Sequence, residues 1–409
     1  MSVVNRIDVS QSGNEEQLYY AFTNTQIINL VNFKISLYSE SIADLYIVDN
    51  GRISEILVES IRTENIFRKI QVIRHIPFSS FSKKYVNLPK YLRQSVTFLF
   101  TAFNYLRYNI VYSINSKSCF YQRILLSGFW LDGAYFVKLA SRMNKSISVS
   151  LIEEGTSNYT LSLDNLCCTS TNVHSLSKLL WFIFTCGHMV EDFRFFEKSV
   201  ESSYLYVPEH YQSEKIVQIC KLPQISTASD NELLRILHAS ISPEIVTEYG
   251  SCRFYYLLQN QSKFSNQYRC FRAYLQEILS STTSLILKKH PEHDVDRSDY
   301  LTLESEYPNL VIDEGNYLLE ALYASLNLDG KVLITRDSSS VIYPKYMFGK
   351  EPIVIFTYRL YEEYYYQNAD VLDGLSRNLL SIYKDKSKIF VPKTLGELIE
   401  ILCFLNAKY

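Results

Sequence analysis

Residues 18–48 read LYYAFTNTQIINLVNFKISLYSESIADLYIV, and this stretch decides the fold class. A short apolar run, Leu18–Thr23, passes into a helical pattern over Gln26–Ser36 and then into a strand-like run, Asp44–Val48. Strand, helix and strand in so short a span is the unit from which parallel sheets are built. The alternation continues outward from it. Helical spacing covers Ser54–Lys69, Pro89–Tyr108 and Arg123–Met143, while Gln71–Ile76, Ile110–Ile114 and Ser146–Ile152 read as strands. Short apolar runs joined by longer helical patterns predict a parallel sheet with helices on both faces.

The middle of the chain is less regular. Ser177–Phe196 reads as an aromatic helix and Val207–Ser226 as a crossover between lobes. Ser229 and Glu232 form a capping-box pair ahead of a helix over Leu233–Ile241. The alternation then resumes. Phe271–Ser280, Tyr317–Leu326 and a closing Leu395–Leu405 read as helices; Ser284–Lys288, Leu310–Ile312, Lys331–Thr335 and Ile353–Phe356 read as strands. A chain of 409 residues exceeds the usual size of a single core. The expectation is an α/β protein of two doubly wound, Rossmann-like lobes facing a central cleft, with ligands beyond the carboxyl ends of the strands.

Composition excludes several classes. Apolar residues make up 47% and the formal net charge is −2, which describes a folded globular protein and gives no basic excess for nucleic acid. The eight cysteines include no CxxC pair and the seven histidines do not fall at zinc spacing. Met1–Gln17 is polar, with no apolar core of a signal peptide. The longest apolar runs, Val96–Tyr105 and Leu179–Cys186, are shorter than the roughly 20 residues of a spanning helix. A soluble or membrane-peripheral protein of the cytoplasm is expected, with reduced thiols.

Three strand ends carry chemistry. The first is Leu151-Ile152-Glu153-Glu154-Gly155-Thr156-Ser157-Asn158-Tyr159. Two carboxylates end an apolar strand, and because side chains alternate only one can point straight into a cleft. Adjacent like charges favour a proton-accepting group, which suits a general base, although a solvated strand end gives the same pattern. The second is Leu285-Ile286-Leu287-Lys288-Lys289-His290-Pro291, which delivers cationic and hydrogen-bonding groups able to hold a phosphate. The third is Val332-Leu333-Ile334-Thr335-Arg336-Asp337-Ser338-Ser339-Ser340. Its hydroxyls can hold an anion, or Asp337 or Ser338 can simply cap a helix. There is no Gly-rich phosphate loop of either common type. Asp294-Val295-Asp296 has metal-binding D-x-D spacing but trails His290-Pro291 in a polar stretch and reads as a loop. Lys83, Lys84 and Lys90 form a charge cluster that reads as solvated surface or as a groove for an anionic polymer.

Taken together and in this order, the acidic pair with its glycine, the Lys-His-Pro strand end and the serine run resemble the motifs of bacterial sialyltransferases. Leu151–Tyr159 is most similar to the capsule polysialyltransferases. The resemblance implies a GT-B glycosyltransferase fold and an inverting, metal-independent transfer from CMP-sialic acid, with no cofactor. By motif, Glu153 would be the catalytic base, with Glu154 the competing choice. His290, beside Pro291, would contact the CMP phosphate and assist its departure. Ser338, Ser339 and Ser340 would hold the same phosphate, and Glu320 would be a ribose ligand. The implied organisation is an acceptor-binding lobe carrying the base (1–205), a CMP-sugar-binding lobe (206–390) and a C-terminal helix (391–409) able to cross back to the first. The implied partners are an anionic or galactose-ended glycan, capsule-assembly proteins and the inner membrane face, in capsule or lipooligosaccharide synthesis. Two other readings fit the same residues: a related transferase using another CMP-ulosonic acid or nucleotide sugar, and a non-catalytic capsule-assembly scaffold.

Overall fold

The computed structural model describes residues 15–49, 51–74, 120–127, 136–137, 140–141, 144–154, 199–211, 218–226, 228, 231–259, 266–290, 301–313, 315 and 317–408. The segments Pro89–Tyr108, Ile110–Ile114 and Ser177–Phe196, read above as helix, strand and helix, lie outside these residues. The chain divides into two compact units. One comprises 1–225 with 231–236, the other 226–230 with 237–409.

The first unit holds a parallel sheet of β1 (Glu16–Ala21), β2 (Ile42–Asp49), β3 (Lys69–Arg74), β4 (Arg123–Ser127), β5 (Ser148–Ile152), β6 (Val200–Leu205) and β7 (Gln218–Lys221). Its order is β3-β2-β1-β4-β5-β6-β7. Helix α1 (Asn24–Leu37) starts where Thr23 Oγ1 accepts from Gln26 N–H at 3.2 Å and the Gln26 side chain reaches back to Phe22 N–H at 2.8 Å. At its other end Lys34 Nζ donates to the carbonyls of Tyr38 and Ser39. Every residue from Gln26 to Lys34 is buried, so α1 is a core helix on all faces. Its Phe33 lies 5.0 Å from the Tyr38 ring and edge-on to Tyr204 at 4.7 Å. Helix α2 (Glu55–Thr63) is capped by Ser54, with Glu55 in its first turn and Arg62 in its last.

Three readings from sequence are corrected in this unit. Arg123–Ser127 is strand β4 and not the start of a helix, and its Ile124–Ser127 portion is buried. A parallel strand covered on both faces shows no alternation, so its apolar run looks like a buried helix. Strand β6, rich in serine, was missed, and β7 lies within the supposed crossover. Because both belong to the first sheet, the division between units falls near residues 226–237 and not at 205. Helix α3 (Glu232–Ala239) begins at Asn231, whose Oδ1 accepts from Leu234 N–H at 2.9 Å. Ser229, the expected cap, is outside the described residues.

The second unit holds β8 (Phe254–Leu257), β9 (Leu285–Lys288), β10 (Leu310–Asp313), β11 (Val332–Thr335), β12 (Ile353–Phe356) and β13 (Ile389–Phe390), all parallel, in the order β10-β9-β8-β11-β12-β13. Its helices are α4 (Pro243–Ser251), α5 (Asn266–Ser280), α6 (Leu301–Glu306), α7 (Leu319–Ser325), α8 (Tyr343–Phe348), α9 (Glu362–Ile382) and α10 (Leu395–Lys408). Gly349 ends α8 at φ +67°, a left-handed position that suits glycine, and its N–H donates to Lys345 O. Leu398, Leu402 and Leu405 of α10 join the core formed by Phe271, Leu275 and Ile278 of α5. The closing helix therefore packs into the second unit. Among the described residues, no helix is long and apolar enough to cross a membrane.

Both sheets share one ordering principle. The strand order reverses between β1 and β4 in the first and between β8 and β11 in the second, while all strands stay parallel. Those reversals are where open α/β sheets leave a crevice beyond the carboxyl ends of their strands.

Candidate functional site

In the first unit the acidic pair stands just past β5, beside the end of β4. Glu153 is 1% exposed. Its N–H donates to Tyr204 O at 2.9 Å, and its carbonyl accepts from Asn29 Nδ2 at 2.8 Å and Ser127 Oγ at 3.0 Å. Its carboxylate Oε2 accepts from the N–H of Tyr206, just beyond β6, at 2.7 Å. Glu154 is half-buried, and its Oε1 accepts from Gln26 Nε2 at 2.8 Å in the first turn of α1. The two carboxylates thus separate, as alternation along an extended backbone requires. Glu153 is fixed over the ends of β4 and β6, while Glu154 leans on the start of α1. Gly155 and the rest of the first motif to Tyr159 lie outside the described residues.

In the second unit the strand ends are level. Thr335 pairs with Leu257 and with Phe356, and Leu257 and Asp313 each pair with Lys288. His290, two residues past β9, and Ser338, three past β11, therefore leave the same edge of one sheet with β8 between them. Two strand spacings are about 10 Å, a gap that one phosphate with its neighbouring side chains can span. His290 is half-buried. Pro291, Asp294 and Asp296 are outside the described residues.

The serine run sits at the strand-order reversal. Thr335 Oγ1 donates to Leu257 O at 3.1 Å and accepts from Ser338 N–H at 3.0 Å and from Gln259 Nε2 at 3.2 Å. That knot joins β11 to β8 and sets the turn. Ser338 caps the 3-10 turn Ser339–Val341, and its Oγ lies 2.6 Å from Ser340 Oγ. Ser338 is therefore the cap. Asp337 instead pairs with Arg336 at 3.1 Å and accepts from the Tyr364 hydroxyl. Tyr323 of α7 is buried, with its hydroxyl in the neighbourhood of the Ser340 side chain. Burial, and then the nearby Glu320 charge, push its phenol well above the usual value, so it stays a neutral donor. Glu320 is 6% exposed in the first turn of α7, one turn before Tyr323.

Lys288 is not available to an anion. It is buried, 3.3 Å from Asp313 at the end of β10, donates to Gly315 O and lies over the Tyr317 ring. Burial lowers its pKa while Asp313 opposes the shift. Asp313 also accepts from the hydroxyls of Tyr249 and Tyr317. Thr335, Asn29, Ser127 and Tyr206 all hold site residues and were not singled out from sequence as site residues. A usable signal existed for one of them. Asn29 belongs to a set of amides, Gln26, Asn29 and Asn32, repeated each turn of an otherwise apolar helix.

The chain matches no protein-family model. It matches no curated protein in sequence. Its fold is similar to that of CalG4, the calicheamicin glycosyltransferase, with a TM-score of 0.50 at 9% identity over 97% of this chain and 94% of that one. It is similar to the glycosyltransferase of kitacinnamycin, with a TM-score of 0.52 at 10% identity over 97% and 91%. An α/β-galactoside α-2,3-sialyltransferase from the luminous marine bacterium Photobacterium phosphoreum aligns with a TM-score of 0.49 at 10% identity over 95% and 100%. At these identities the likeness is one of fold, and the fold is the two-lobe α/β arrangement called GT-B.

Proposed function

We propose that this protein is an inverting glycosyltransferase that moves sialic acid from CMP-sialic acid to a glycan hydroxyl, in the manner of a polysialyltransferase of capsule or lipooligosaccharide synthesis. The observation that carries the reading is the level carboxyl edge of the second sheet. Ser338 and Ser340 sit together at its strand-order reversal, with His290 leaving the same edge. In this reading the second unit holds the donor and the first supplies the base. The hydroxyls of Ser338 and Ser340 exchange their mutual bond for bonds to the phosphate, with Ser339 beside them. His290 donates to the same phosphate as CMP leaves, and Glu320 accepts from the ribose. The donor carbon is tertiary and carries a carboxylate, so its transition state resembles an oxocarbenium ion and rests on stabilising the departing phosphate. The acceptor hydroxyl becomes nucleophilic as the Glu153 carboxylate takes its proton. No metal or cofactor has a part in this division of labour.

The acceptor in this reading is a sialylated or galactose-ended glycan, and the protein works in the cytoplasm against the inner membrane face. The test is incubation with CMP-sialic acid and labelled acceptors, followed by chain-length analysis, beside a panel of other nucleotide sugars. CMP release with acceptor extension supports the reading. Turnover only with a different donor assigns a related transferase, and no turnover with any donor leaves a scaffold.

A further inference from the structure

Buried amides need a reason. An apolar side chain of similar shape holds a core helix as well, and each buried polar group requires a partner. Helix α1 is apolar at Ile27, Ile28, Leu30, Val31 and Phe33, all fully buried, yet it also buries Gln26, Asn29 and Asn32. All three donate to groups just past strand ends. Asn29 Nδ2 donates to Glu153 O at 2.8 Å, and Asn29 Oδ1 accepts from the Tyr206 hydroxyl at 2.9 Å. Tyr206 N–H in turn holds the Glu153 carboxylate at 2.7 Å. Glu153, Asn29 and Tyr206 therefore form a closed ring that grips one residue by its main chain and its carboxylate together. Asn32 braces the ring, with Nδ2 donating to Tyr206 Oη at 3.3 Å and to Pro223 O at 2.7 Å.

We infer that Asn29 and Tyr206 are positioning residues for Glu153: the polar stripe of α1 fixes the direction in which that carboxylate meets the acceptor. The inference rests on Glu153 acting as the base. A rotation of the carboxylate leaves donor binding untouched, because the donor is held by the other unit, but it misaligns the proton transfer. Misplacement on the ångström scale costs up to about a hundredfold in rate.

The test uses the full chain with Asn29→Leu, Tyr206→Phe and the double variant, reading kcat, KM for donor and acceptor, and thermal midpoint. Each single variant is expected to lower kcat about tenfold or more, with both KM values within about twofold. The double variant should lose little more than the worse single, since both open one ring. A structural role alone predicts lowered midpoints with kcat per folded molecule unchanged, and that result overturns the inference. Losses that multiply fully, or that appear in KM, also overturn it. Glu153→Gln, run alongside, separates the two levels. Normal turnover there removes the base reading itself, whereas a dead Glu153→Gln beside unaffected ring variants removes only the positioning role.

Discussion

Glu153 and Glu154 are neighbours in sequence with different surroundings. Glu153→Gln keeps an oxygen that can accept from Tyr206 N–H but cannot take a proton, so the local fold survives the change. Transfer should fall by about 10²–10⁴-fold while CMP affinity, measured by calorimetry, stays near that of the parent. Glu154→Gln is the companion variant. Loss of turnover there with retention in Glu153→Gln would move the base one residue along. His290→Ala should behave differently, weakening CMP binding and slowing transfer together, because it removes a donor to the phosphate in both ground and transition states. Normal CMP affinity and normal turnover in that variant would return Lys288–Pro291 to an ordinary strand exit.

Elements are held by a few junctions whose strength depends on charge. Glu351, between α8 and β12, accepts from Lys345 Nζ and from Lys384 N–H at 2.8 Å and Asp385 N–H at 3.3 Å. It thereby ties the end of α8 to the chain leaving α9. Burial raises its pKa, but Lys345 and the two N–H groups outweigh burial and hold the carboxyl below its usual range. A depressed folded value means the stabilisation is present in full above the unfolded pKa and is lost as pH falls through the folded one. Glu351→Gln should therefore lower stability by about 2 kcal/mol at neutral pH. The difference from the parent should close in strong acid, as thermal unfolding followed by circular dichroism at a series of pH values would show. A deficit that persists unchanged in acid would mean the junction does not depend on charge. Strand β4 shows why some elements were misread. Arg123–Ser127 and a buried helix present the same apolar run, and only a neighbour on each side, β1 and β5, makes it a strand.

At the scale of the whole molecule the reading joins two units with separate tasks. In the proposed reading phosphate is held by hydroxyls and an imidazole in the second, so transfer should continue in EDTA. Activity lost in EDTA and restored by Mn²⁺ would favour Asp294 and Asp296 as ligands. The aromatic segment Leu179–Phe196, which lies outside the described residues, reads from sequence either as a surface for lipid or a capsule-assembly partner or as a buried inter-lobe helix.

The sequence by itself determined that the chain is α/β and parallel, and it marked the strand ends at Glu153, His290 and Ser338. Those signals are local: an apolar run stops, and a polar residue follows within one or two positions. Several features were decided only by tertiary structure. Among them are the level register that sets His290 and Ser338 on one edge and the commitment of Lys288 to Asp313. So are the ring around Glu153 and the packing of the closing helix into the second unit. Each joins segments far apart in the chain. Burial and hydrogen-bond satisfaction are summed over such contacts, and no periodicity within a single segment records which partner completes them.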